Sequence, residues 1–175
     1  MYVVAECVLR ALAAGIIRSV QGDPGASELR DALAIRALCE RYAQAVDAND
    51  RVAFASLFTP DGHVDAYDGA TMTPMPGWHE FRGRKQLAEI PEGVKAVAPT
   101  TMHFIGNHIA DVAGDHATGI TYCVANHLRA DRSNLVLMVR YLDKYERTPE
   151  GDWLIADRRI VIDWSETRHA DPPPT

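Results

Sequence analysis

Asp47 and His103 are the two residues of this chain whose types and settings suit them to move a proton together. Asp47 closes a helical pattern, so its carboxylate faces the negative end of the helix dipole, a setting that tends to raise its pKa. Taken alone it reads equally as a solvated helix-end residue in a D-x-x-D turn. His103 stands between Met102 and Phe104 in a strand pattern. Alternation puts Thr101, His103 and Ile105 on one face, and Met102 and Phe104 on the other. Histidine titrates near neutrality, which suits a general base, and the same setting admits a hydrogen-bonded core histidine. Asn126 and His127 are neighbours on the next strand, so only one of them can face the same side as His103. Arg158 and Arg159 pose the same choice on the last strand. Tyr42, five residues before Asp47, and Tyr67, ending the first strand, add two phenols.

Other chemistries lack their residues. The chain has 7 histidines but no HxH pair and no HExxH. His103 and His108, five apart on one strand, are expected on opposite faces, so no metal site is expected. No GxGxxG, phosphate loop or GxSxG elbow is present, so no cofactor is expected either. A formal net charge of −6 without a Lys/Arg block argues against nucleic acid and anionic membrane as partners. Cys7, Cys39 and Cys123 form no CxxC pair, which fits buried thiols in a reducing, cytoplasmic compartment. Residues 1–20 are apolar but interrupted by Glu6 and Arg10, and read as an amphipathic helical extension rather than a leader or a membrane span.

The elements that must position these groups follow from periodicity. A length of 175 residues suits one domain. We expect an extension over 1–26, a domain over 27–166 and a loose tail over 167–175. Gly22, Asp23, Pro24 and Gly25 break the chain before a long amphipathic helix with Ser27 as its N-cap, ended by Ala48, Asn49 and Asp50. RVAFASLF is a shorter helix, closed by a turn at 59–62. HVDAY is a first strand, with WHEFRG as its partner, and GRKQLAEIPEGV is a third helix. TTMHFIGNHIADV, HATGITYCVANHLRA, NLVLMVRYLDKYERT and DWLIADRRIVIDW are four strands joined by turn-rich segments. Helices followed by a run of antiparallel strands give an α+β class: a curved antiparallel sheet closed by N-terminal helices around a pocket. Phe54, Phe58, Trp78, Phe81, Val124 and Met138 are the apolar residues expected to line that pocket or to form plain core.

The stretches RYAQAVDANDRVAFASLFTPDG and MHFIGNHIADVAGDHA, with GR-x-x-L between them and KYERTPEGDWLIADRRI after them, resemble the SnoaL-like branch of the nuclear-transport-factor-2-like superfamily over roughly residues 30–165. The resemblance implies a cone-shaped fold around an apolar pocket. In its dehydratase and dehydrochlorinase members an Asp ending the first long helix pairs with a His on a strand, and that pattern falls on Asp47 and His103. It also implies supporting roles for Tyr42, Tyr67, Asn126 or His127, and Arg158. The expected activity is a metal-free lyase acting on a small apolar ring-containing molecule. An isomerase or polyketide cyclase using the same base, and a non-catalytic binding or subunit-partner module, are the alternatives. Relatives imply a homo-dimer or homo-trimer formed through the outer sheet face.

Overall fold

The computed structural model describes residues 25–171. The extension expected over 1–26 lies, up to residue 24, outside the described residues. Helix α1 spans Ala26–Asp47 and buries Ile35, Leu38, Cys39, Tyr42, Ala45 and Val46, the recurrence of a helix packed along one stripe. Its N-cap is Gly25 rather than Ser27: the extended Gly25 carbonyl accepts the Glu28 and Leu29 amides, which puts Ser27 already inside the first turn. At the other end Asn49 takes a left-handed φ of 55°, a conformation asparagine tolerates, and Asp50 then caps α2, Arg51–Ser56, by accepting the Ala53 amide.

Six strands follow: β1 Phe58–Asp68, β2 Phe81–Arg82, β3 Thr100–Ala113, β4 His116–Leu128, β5 Ser133–Arg147 and β6 Trp153–His169. They form one open sheet in the order β2-β1-β6-β5-β4-β3. β3 to β6 are an antiparallel meander, as expected. The one departure is the ladder between β1 and β6, which is parallel. The chain crosses from β2 at one sheet edge to β3 at the other through α3, Gly83–Leu87, and α4, Ile90–Val97. A single helix was expected there. Pro91, which has no amide proton to continue a ladder, instead begins a second helix.

The expected turn at 59–62 is part of β1. The step from Phe58 to His63 faces only the step from Ile155 to Asp157, a large bulge that accommodates Pro60. Arg84 holds it by donating twice to the Phe58 carbonyl, at 2.9 and 2.7 Å. WHEFRG contributes only the two residues of β2, and β6 continues beyond the Trp164 at which its pattern stopped.

The core fills the space between α1 and the inner sheet face, where Cys123, Ala125, Val139, Tyr141, Tyr145 and Ile155 are buried. The outer face carries a cross-strand row of Phe104, Val124, Met138 and Trp164. Phe104 is 68% exposed and Trp164 62%. Val124 and Met138 therefore point away from the interior and line no pocket there: pairing with Phe104 fixes their face. Phe54 and Phe58 are core, and Trp78 and Phe81 pack against it.

Candidate active site

Asp47 and His103 meet. Asp47 Oδ1 lies 2.7 Å from His103 Nδ1, and Oδ2 accepts the His103 backbone amide at 2.9 Å. Thr101, two residues earlier on the same strand face, donates its hydroxyl to Oδ1 at 2.7 Å. The alternation of β3 produces this arrangement: Thr101 and His103 turn inward beneath the end of α1, while Met102 and Phe104 turn outward. Burial raises the Asp47 pKa. The hydrogen bonds from the His103 ring, the His103 amide and Thr101 more than offset that and hold the carboxyl at about 2. The helix-end position was expected to raise it; three donors aimed at one carboxylate outweigh the dipole. An ionised Asp47 accepts only, so the proton of neutral His103 sits on Nδ1 and the lone pair on Nε2. Nε2 makes no hydrogen bond to a described residue. The His103 side chain is 7% exposed and that of Asp47 26%, so the pair is shielded but not sealed.

The choice between Asn126 and His127 is resolved by register. His127 pairs with Thr101 and shares its inward face. Its ring stands 5.4 Å from that of His103, edge to face at 89°. Burial first, then the proximity of His103, lowers its pKa to about 4, so it is neutral at pH 7. Its Nδ1 is buried without a partner among the described residues. Asn126 turns to the outer face, where its carbonyl oxygen accepts from Asn134 at 2.9 Å.

His103 and His108 were expected on opposite faces. A register shift between Ile105 and His108 inserts an extra residue, and both rings point inward. His108 Nδ1 lies 2.9 Å from the Thr121 hydroxyl, which is 3.3 Å from the buried Cys39 thiol. Burial, then Arg36, lowers the His108 pKa. His108 belongs to a second polar cluster, separated from the dyad by the inward row of Ile105, Cys123, Val139 and Ile162.

Arg158 anchors that second cluster. Its Nε and Nη2 bond Asp143 at 2.8 and 2.7 Å, and both side chains are 0% exposed. Its guanidinium lies 4.1 Å from the Tyr42 ring centroid and 4.3 Å from that of Tyr141. Burial works against the charge of Arg158, and Asp143 more than offsets it. Burial pushes the Tyr42 phenol up to about 12. Tyr145 donates to Asp143 at 2.7 Å and completes the cluster. Sequence reasoning missed Asp143, Thr101 and Lys95, whose ammonium donates to the Thr101 hydroxyl at 3.0 Å. Tyr67 is not brought to the dyad. Val64 and Ala66 take the inward positions of β1, while Tyr67 faces outward, near Asp65 and 5.7 Å beneath the guanidinium of Arg159.

Among the described residues, His63, Asp65 and Glu80 are the group whose donor atoms come close enough to share a cation, on the outer face of β1. Of its two carboxylates, Glu80 is already bonded to Arg82 at 3.2 Å, and Asp65 accepts the Ala66 amide at 2.8 Å. Asp47 and His103, one carboxylate and one imidazole, are bonded to each other.

The SnoaL-like domain family matches residues 27–159, and the chain belongs to that family. No curated protein matches the chain. Among solved structures it is similar to an Asp-to-Asn variant of a Mycobacterium tuberculosis protein of unknown function, at 29% identity over 81% of this chain and 76% of that one, with a TM-score of 0.67. A Novosphingobium aromaticivorans protein provisionally named a scytalone dehydratase shares the fold at 22% identity, 83% and 90% coverage and a TM-score of 0.67. The hexachlorocyclohexane dehydrochlorinase LinA-type3 of Novosphingobium barchaimii shares it at 18% identity, 83% and 97% coverage and a TM-score of 0.71. No described helix is long and apolar enough to cross a membrane.

Proposed function

We propose that this protein is a metal- and cofactor-free lyase that eliminates water or halide from a small apolar ring-containing molecule, with His103 as its base. The observation that carries this reading is the 2.7 Å contact of Asp47 Oδ1 with His103 Nδ1, which leaves the Nε2 lone pair as the free basic atom of a shielded site. His103 Nε2 takes a proton from a carbon next to the one bearing the leaving group. The electron pair of the broken C–H bond becomes the new C=C bond, and the leaving group departs with its own pair. Asp47 stabilises the imidazolium that forms. Neutral His127, on the same inward face, is placed to donate a hydrogen bond to a departing hydroxyl or a developing oxyanion. An isomerase or a cyclase would use the same base and differ only in where the carbanion is reprotonated or attacks. The fold of the scytalone dehydratase-like and dehydrochlorinase structures supports the lyase reading.

General-base assistance contributes about 10²–10⁴-fold to a rate. Screening hydroxylated and halogenated ring compounds for elimination, with Asp47→Asn, His103→Ala and the double variant beside the wild type, tests the proposal. Losses of that size in each single variant, with the double variant no worse, are expected of a pair acting as one unit. Additive losses, or binding of apolar compounds with no turnover in the wild type, would favour a binding module instead. We also infer that copies associate as a dimer or trimer through the exposed row of Phe104, Val124, Met138 and Trp164, because an apolar patch of this kind marks an interaction surface. Sedimentation velocity of Phe104→Glu should show monomer where the wild type shows oligomer.

A further inference from the structure

Lys95 sits in the last turn of α4, half-buried, and makes no ion pair with a carboxylate among the described residues. Its ammonium is directed at a hydroxyl, Thr101 Oγ1, at 3.0 Å. That hydroxyl lies 2.7 Å from Asp47 Oδ1 and belongs to a residue only 8% exposed. The three groups form a chain whose direction is fixed by chemistry. A lysine ammonium has donors and no acceptor, so Thr101 Oγ1 must accept from it. Thr101 has one proton, and with its oxygen taken by Lys95 that proton goes to the ionised carboxylate. Without Lys95 the hydroxyl can still donate to Asp47, but it loses the cationic donor that polarises it and holds its proton to that one acceptor. The branched β-carbon limits where the oxygen sits but not where its proton points.

We propose that Lys95 is a positioning residue of the dyad, acting through Thr101 to lock the Asp47 carboxylate in the orientation that holds the Nδ1 proton of His103. This inference rests on the reading of Asp47 and His103 as a working pair and adds to it a control reaching the site from a separate helix. With the chain in place Asp47 Oδ1 receives Thr101 and His103 Nδ1 together, and Oδ2 receives the His103 amide, so neither oxygen can swing away. The titratable groups facing Asp47 are His103 from β3, His127 and Cys123 from β4, and Lys95 by way of Thr101 from α4. Lys95 alone among them acts through an intervening hydroxyl. Its removal leaves every direct bond to Asp47 chemically possible, which makes it a clean probe.

The test needs no substrate. The carboxyl carbon of Asp47 is followed by NMR from pH 6 downward in the full chain, in wild type, Lys95→Met, Lys95→Arg, Thr101→Val and Lys95→Met/Thr101→Val, with amide spectra verifying the fold. The wild-type signal stays flat to about pH 3, as a carboxyl titrating at about 2 requires. In Lys95→Met and in Thr101→Val it titrates about one unit higher, the size expected when a charge-assisted hydrogen bond weakens or is lost. Lys95→Arg restores the wild-type curve, and the double variant matches Thr101→Val alone. If Lys95→Met titrates like the wild type while Thr101→Val rises, Lys95 is a bystander and the proposal is overturned. If Thr101→Val is also unchanged, the whole chain is without effect and the proposal fails equally. Failure of the dyad itself looks different: Asp47→Asn would leave the His103 ring nitrogen shifts unaltered. Where Thr101→Val folds poorly, Thr101→Ser keeps the hydroxyl and should follow the wild type.

Discussion

The inner sheet face holds two acid-centred clusters that differ in exposure and in the cation or proton carrier each acid binds. At one end Asp47 binds an imidazole, whose second nitrogen carries a lone pair, in a pair where Asp47 stays 26% exposed. At the other end Asp143 binds a guanidinium that never loses its proton, with both side chains 0% exposed and two tyrosine rings flanking the cation. The first cluster leaves a basic nitrogen free. The second has its charges matched and sealed under α1. The resemblance implied a supporting role at the dyad for Arg158. Its bidentate bond to Asp143 instead makes it the pin that ties β5 to β6.

Opposite responses to mutation follow. The largest effect on turnover belongs to the dyad: under the proposed function His103→Ala and Asp47→Asn should each lower elimination by about 10²–10⁴-fold, a loss that persists when the variants are assayed well below their melting temperatures, as paired kinetics and calorimetry would show. The largest effect on stability belongs to the sealed pair. Asp143→Ala strands a buried guanidinium and should cost about 3–5 kcal/mol by denaturant unfolding, whereas Asp143→Leu with Arg158→Met should cost distinctly less. A dyad variant that unfolded the protein, or an Asp143 variant with full stability, would erase the distinction.

A smaller effect sharpens it through pH. The pKa of His127 is depressed from its ordinary 6.5 to about 4, so its contribution to stability is complete above pH 6.5 and lost as the pH falls through 4. Between those values the unfolded state binds more protons, so stability rises with pH. The span is on the order of 2 kcal/mol after allowing for partial exposure. His127→Gln should flatten that part of the stability curve. Asp47, held at about 2 against its ordinary 3.8, contributes stability that is complete above pH 3.8 and lost as the pH falls through 2.

Much of the dyad was legible in the chain, because a helix end and a strand alternation are local features. Asp47 ends an amphipathic helix, and the inward face of Thr101, His103 and Ile105 follows from a two-residue period. The placement of His108 was not legible from spacing, because the shift between Ile105 and His108 breaks that period. Gly106, inside an otherwise β-branched and aromatic run, was the available sign of a bulge. Asp143 also left a signal: it shares a parity with Val139, Tyr141 and Tyr145, and a charged residue on a core-facing parity needs a buried partner. The outward turn of Tyr67 and the parallel ladder of β1 with β6 depend on where the crossover helices deliver the chain. No local pattern encodes that.

The imidazole nitrogen spectrum of His103 in wild type and Asp47→Asn, recorded with the ring neutral, tests the pair most directly. The wild-type ring should carry its proton on Nδ1 with a bare Nε2, and lose that tautomer preference when Asp47 becomes an amide. Identical nitrogen shifts in the two proteins would contradict the pairing, and the inner face would then be a binding surface without a base.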